Sequence, residues 1–200
     1  VTSGITQPPM LAEAVVRIGE KLNKTERRSW YKTMYPVILS YHQWLYEDRD
    51  PHQEGLVLLV HPWETGLDNT PPWMSELLEH QLPFWIRIVG WLHLDRLVGL
   101  ARRDTKYVHQ SERLSTIEAL ALFSTQRRLR RKNYDTARIL THSLFAIEDA
   151  NFNAIFIRAN QHLQDIADLI GRKLPHELIE RIEKSKIAYE ELWDQYANQY

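Results

Sequence analysis

The stretch His61-Pro62-Trp63-Glu64-Thr65-Gly66-Leu67-Asp68-Asn69-Thr70-Pro71-Pro72-Trp73 gathers two carboxylates, two indoles, an imidazole and a carboxamide. Its prolines and glycine prevent a regular helix or strand from running through it. Such a set suits a carbohydrate. Indole faces stack on the apolar side of a sugar ring, and carboxylates move protons or bind hydroxyls. The plainer reading is a proline-rich surface loop in which Asp68 and Asn69 close a turn. His61, Glu64 and Asp68 also carry metal-binding atoms, but a single local histidine makes a weak ligand set, and no metal is expected.

The elements that must hold this loop read as helices. Met10, Leu11, Ala14, Val15, Ile18 and Leu22 recur at helical spacing after a pair of prolines. A second helix is expected from about Thr25, as N-cap, to about Tyr46, with Tyr35, Ile38, Leu39, His42, Leu45 and Tyr46 inward and a kink or break at Pro36. Leu56 to Val60 reads as an extended apolar run that carries the chain inward to His61. Beyond the loop, Phe84 to Leu100 is amphipathic, and Arg102-Arg103-Asp104-Thr105 is a charged loop. Ser115 and Glu118 form a capping box before a helix to about Lys132. Asn153 to Ile170 is a strong helix stopped by Gly171. A last helix opens at Pro175, with Leu178, Ile182, Tyr189, Leu192, Trp193 and Tyr196 as its stripe. No linker or low-complexity segment appears, so residues 1–200 are read as one all-α domain.

Composition narrows the classes. A net charge of -1 argues against a dedicated nucleic-acid binder, whose affinity comes from clustered Lys and Arg on phosphates. The run Arg127-Arg128-Leu129-Arg130-Arg131-Lys132 is better read as the last turn of a helix, where cations complement the dipole. No apolar run reaches the length of a membrane span. With no cysteine there is no disulfide, thiolate metal site or cysteine nucleophile, which suits a reducing compartment, and a cytoplasmic location is expected.

The order of residues adds a resemblance. Glu64-Thr65-Gly66-Leu67-Asp68-Asn69-Thr70-Pro71 resembles the Glu-Ser-Gly-x-Asp-Asn-Ser-Pro signature of family 63-like glycoside hydrolases, the group that includes mannosylglycerate and glucosylglycerate hydrolases. Thr65 replaces Ser and keeps the hydroxyl. Thr6-Gln7-Pro8-Pro9, Asp50-Pro51-His52-Gln53-Glu54-Gly55-Leu56 and Asp149-Ala150-Asn151-Phe152-Asn153-Ala154 look like other segments of that group, in the same order along the chain. The resemblance implies part of an (α/α)6 barrel, with six or seven of its helices here. A full barrel needs about a dozen helices of roughly three turns, so the chain is read as a piece of a larger catalytic domain.

The resemblance also implies roles. Asp68 is the general acid of an inverting hydrolase. The base is a glutamate in the C-terminal part of the barrel, for which no match occurs before Tyr200, so the piece alone is expected to be inactive. Gln7 matches a position near the substrate and is equally a helix N-terminal residue, while from the residues themselves Trp63 is a stacking platform or ordinary packing, His61 and Glu64 bind hydroxyls or hold the turn, and Asn69 binds a hydroxyl or orients the acid. Glu64 is equally a loop brace, since a base must attack from the opposite face of the ring. Arg102 or Arg103 would clamp a substrate carboxylate through its planar fork. Asp149 and Asn153 match a segment under the sugar site, where Asp149 is equally an N-cap. The expected substrate is a small α-glucoside or α-mannoside such as glucosylglycerate or mannosylglycerate. No cofactor, nucleic acid or membrane partner is expected, and the oligomeric state is open. The alternatives are an α-glucosidase or trehalase-like hydrolase of oligosaccharides, and a helical interaction domain with no chemistry.

Overall fold

The computed structural model describes residues 3–67, 73–80, 82–92, 107, 109, 113–141 and 145–200. In chain order the helices are α1 (Leu11–Glu20), α2 (Lys24–Arg49), a 3-10 turn (Pro62–Thr65), α3 (Met74–His80), α4 (Phe84–Trp91), α5 (Thr116–Arg131), α6 (Thr136–Leu140), α7 (Ala150–Ile170) and α8 (His176–Glu191). Eight α-helices therefore occur among the described residues, where six or seven were expected. The additions are α3 and α6, of seven and five residues. Each is too short to show a full apolar period in sequence. Among the described residues, extended pairing is limited to the isolated bridges Leu59–Ile147 and Asp194–Gln199.

The chain divides into two compact units whose segments alternate along the sequence, one of Pro8–Leu58 with Glu148–Tyr200 and one of Val1–Gln7 with Leu59–Ile147. In the first, α2 and α7 supply most of the core: Tyr35, Ile38, Leu45 and Tyr46 from α2, with Phe152, Phe156, Leu163 and Ile166 from α7. Asn23, rather than Thr25, caps α2, accepting from the amides of Thr25 and Glu26 while the Glu26 carboxylate accepts from the Asn23 amide. Pro36 does not break the helix, which runs unbroken from Lys24 to Arg49. Pro36 sits on the exposed side, between buried Tyr35 and Ile38, so packing on the inner face outweighs the missing N–H.

Two helix faces differ from the pattern reading. In α1 the buried residues are Ala12, Val15 and Gly19, while Met10, Leu11 and Ile18 are exposed. Close approach to α2 selected small residues over bulky ones. A Cβ on Gly19 would lie 2.5 Å from the Tyr31 ring, and Trp30 Nε1 donates to the Val15 carbonyl at 2.9 Å. In α8 the inward line is Leu178, Ile182 and Ser185. The helix ends at Glu191, and the chain turns back so that Tyr200 stacks on Tyr189 at 4.7 Å, leaving Tyr196 fully exposed.

The segment Asp50 to Gly55 joins α2 to the apolar run. The Asp50 carboxylate accepts from the amides of Glu54 (2.8 Å) and Gly55 (2.9 Å). Gly55 has φ +96°, and a Cβ there would sit 3.0 Å from the backbone of Lys184 and Ser185. Only glycine satisfies both demands. Gly55→Ala should therefore cost about 1–3 kcal/mol from backbone strain and from pushing α8 away. A fall in the urea midpoint would show it, and an unchanged midpoint would refute it.

Expectations for helix ends hold elsewhere. Ser115 and Glu118 form the capping box of α5, and the arginines of its last turns surround buried Leu129. Asp149 caps α7 by accepting from the Phe152 amide at 2.6 Å, and Gly171 ends it in the left-handed region at φ +76°. Of the amphipathic stretch from Phe84, α4 covers the part to Trp91, and residues 93–100 lie outside the described residues. Among the described residues, no helix is long and apolar enough to cross a membrane.

Candidate active site

The site belongs to the unit formed by Val1–Gln7 and Leu59–Ile147. Leu59 enters it in an antiparallel bridge with Ile147, each amide donating to the other's carbonyl at 2.8 and 3.0 Å. His61 is extended, Pro62 opens the 3-10 turn, and Gly66 closes it in the left-handed conformation at φ +82°. The proline and glycine that forbid a long helix thus build a single tight turn. Thr65 completes it: its hydroxyl donates to the Pro62 carbonyl at 2.8 Å and accepts from the Leu67 amide at 3.2 Å. A serine hydroxyl could make the same two bonds, so Thr65 keeps the turn chemistry that serine would supply.

His61 and Glu64 are both fully buried. The His61 Nε2–H donates to the Leu122 carbonyl on α5 at 3.2 Å, and Nδ1 accepts from the Trp63 amide at 3.2 Å. Both ring nitrogens are thereby used in the neutral form. Burial pushes the His61 pKa below the usual imidazole range, only partly opposed by the Leu122 carbonyl and the Glu64 charge. Glu64 Oε2 accepts from the amides of Val60 (2.6 Å) and His61 (3.2 Å), and Oε1 from the amide of Thr6 (2.9 Å). A buried carboxylate is tolerated because backbone donors replace its water.

Gln7 and Trp63 occupy the more exposed side. Gln7 is exposed and donates from Nε2 to the Trp63 carbonyl at 3.3 Å. Trp63 is half-buried, with its ring 4.9 Å from the His61 ring and packed on the cluster of Leu77, Ala121 and Leu122. The structure thus brings Gln7, His61, Trp63 and Glu64 together. Asp68, Asn69, Arg102 and Arg103 lie outside the described residues. The Thr6 amide and the Leu122 carbonyl were not anticipated. Backbone groups carry no residue-type signal, so no sequence pattern could have pointed to them.

In the other unit, Asn153 is buried and clamps the chain before the bridge. Its Oδ1 accepts from the Val57 amide at 2.7 Å, and its Nδ2 donates to the carbonyls of Val57 and Asp149 at 3.0 Å each. Among the described residues, no group of three His, Cys, Asp or Glu assembles as metal ligands.

Comparison with known proteins places these features in a family. The model of the mannosylglycerate hydrolase MGH1-like glycoside hydrolase domain matches residues 1–200. A mannosylglycerate hydrolase of Thermus thermophilus is 38% identical over 200 residues, covering 100% of this chain and 45% of that protein. The glucosylglycerate hydrolase of Mycolicibacterium hassiacum is 31% identical over 185 residues, covering 88% and 38%. Crystal structures of the GH63 mannosylglycerate hydrolase from a second strain of Thermus thermophilus, with Tris and with Tris and D-glycerate, superpose at TM-scores of 0.80 and 0.79. Both are 36% identical, and the match covers 98% of this chain and 45% of theirs. The chain spans less than half the length of these relatives. The match bears out the all-α class read from the helix pattern and the α/α-toroid architecture that the resemblance implied. With its whole length matched by the family model and its signature turn built on buried anchors, the chain belongs to the mannosylglycerate hydrolase MGH1-like glycoside hydrolase family.

Proposed function

We propose that the protein to which this chain belongs hydrolyses a small α-glycoside of glycerate, mannosylglycerate or glucosylglycerate, with inversion at the anomeric carbon. The family match over residues 1–200 carries this reading. Support for the substrate comes from relatives named for these two compounds and from a relative solved with D-glycerate. Asp68 protonates the glycosidic oxygen as the bond to the sugar breaks. A carboxylate outside these 200 residues takes a proton from water on the opposite face of the ring, at about 6.5–9.5 Å from the acid. Trp63 offers a stacking face, Gln7 and Asn69 bind hydroxyls, and Arg102 or Arg103 holds the glycerate carboxylate. His61 and Glu64, committed to backbone partners, shape the loop more than they touch the sugar.

Proton NMR of the full-length protein with each compound tests this. Release of the β-anomer of the sugar first is expected. Release of the α-anomer first would refute inversion. Release from trehalose or α-glucose oligosaccharides alone would replace the glycerate assignment. No release from any of them would leave the non-catalytic helical domain as the better account.

A further inference from the structure

We infer that Glu64 is a positioning residue whose one carboxylate sets the register of Gln7 against the loop leading to Asp68. The inference rests on the glycosidase reading above and concerns how that site is held.

Glu64 joins segments 58 residues apart in sequence: Oε1 accepts from the Thr6 amide, while Oε2 accepts from the amides of Val60 and His61. The neighbouring residues form a second tie, Gln7 Nε2 to the Trp63 carbonyl. Residues 6 and 7 thus run antiparallel to residues 64 and 63, with Glu64 as the buried tie and Gln7 as the exposed one. The segment before Gln7 also packs closely at Gly4, where a Cβ would lie 2.6 Å from the Tyr134 Cβ. On the other side, Glu64 belongs to the 3-10 turn that Gly66 closes two residues before Asp68. Movement of this carboxylate therefore shifts the proposed hydroxyl ligand and the approach to the proposed acid together.

Both oxygens are needed as acceptors. Glutamine fills the same volume, but its NH2 would face a backbone N–H whichever way the amide turns. Glu64→Gln should therefore release one of the two segments without emptying the core.

The experiment uses the full-length enzyme with α-mannosylglycerate and α-glucosylglycerate, comparing wild type, Glu64→Gln, Gln7→Ala and the double variant. Rates are normalised to folded protein. Gln7→Ala is expected to raise KM with little change in kcat. Glu64→Gln is expected to raise KM and lower kcat about tenfold to a hundredfold, the scale of a misplaced reacting group. The double variant should show the KM of Glu64→Gln alone, because Gln7 is already displaced. Wild-type kcat and KM in Glu64→Gln, or KM effects that multiply in the double variant, would overturn the inference while leaving the glycosidase reading intact. If Glu64→Gln does not fold, Thr6→Pro removes the N–H that Oε1 receives, in a segment outside every helix. The same losses are expected there, and wild-type kinetics would overturn the inference. A wild-type enzyme inactive on every glycoside tried would overturn both.

Discussion

Asp68→Asn in the full-length protein is expected to lower kcat on mannosylglycerate or glucosylglycerate by about a hundredfold to ten-thousandfold, the usual contribution of a general acid. On either proposed substrate the departing group is an alkoxide of glycerate, a poor leaving group unless it receives a proton as the bond breaks. Asparagine keeps the size and the turn-forming ability of aspartate but has no acidic proton to give. Folding should therefore be unaffected, with the thermal midpoint within a few degrees of wild type. A glycosyl fluoride of the same sugar separates the roles, because fluoride departs without a full proton transfer. The variant should lose far less activity on the fluoride than on the glycerate. Equal losses on both would assign Asp68 to binding or structure, and retained turnover of the glycerate would remove it from the mechanism.

Stability should fall by about 3 kcal/mol as pH drops from 6.5 to 4, through His42 alone. His42 is fully buried on α2, its ring 5.3 Å from Phe156. It begins a polar chain through the core. His42 Nδ1–H donates to Asn160 Oδ1 (2.8 Å), and Asn160 Nδ2 donates to Tyr46 Oη (2.9 Å). Tyr46 lies 2.8 Å from Ser185 Oγ, which donates to the Gly55 carbonyl at 2.6 Å. With Nδ1 donating, the proton taken up at low pH must go to Nε2, which is buried without a hydrogen-bond partner. Burial accordingly lowers the pKa from 6.5 to about 4, against the opposing pull of the Asn160 hydrogen bond.

The sign follows from linkage. Below pH 6.5 the unfolded chain binds a proton that the native protein refuses until about pH 4, so native stability declines across that window and levels off beneath it. His61, also lowered by burial, adds a loss of the same sign. Urea unfolding of wild type and His42→Asn at pH 6.5 and pH 4 isolates the effect, since the asparagine Nδ2 stands where His42 Nδ1 donates to Asn160 but does not titrate. Wild type should lose about 3 kcal/mol more than the variant between the two pH values. An equal loss in both proteins would show that His42 does not govern this acid sensitivity.

The helices were largely legible in the sequence. Local signals of known chemistry mark their ends: the capping box at Ser115 and Glu118, the N-cap at Asp149, Gly171 and Pro175. The α7 stripe was legible because a long helix repeats its apolar period often enough to be unambiguous. Short helices such as α6 were not, and α1 misled because bulky residues dominate a pattern count. The tertiary contact preferred Ala12, Val15 and Gly19, which let α1 approach Tyr31 and Trp30. Nor could a pattern show that the chain passes between two units at residues 7, 58 and 147, since it records neighbours along the chain and not across it.

By itself, the order of residues determined the helical class, the family resemblance and the loop expected to hold the acid, because periodicity, capping and a collinear signature are written in residue types. Only the tertiary structure decided which of the loop's polar side chains are anchors. His61 and Glu64 read equally as ligands or braces in a sequence, and it is the fold that gives them the Leu122 carbonyl and the amides of Thr6, Val60, His61 and Trp63 as partners. Every residue offers such backbone groups alike, so folding alone selects which of them a buried side chain meets.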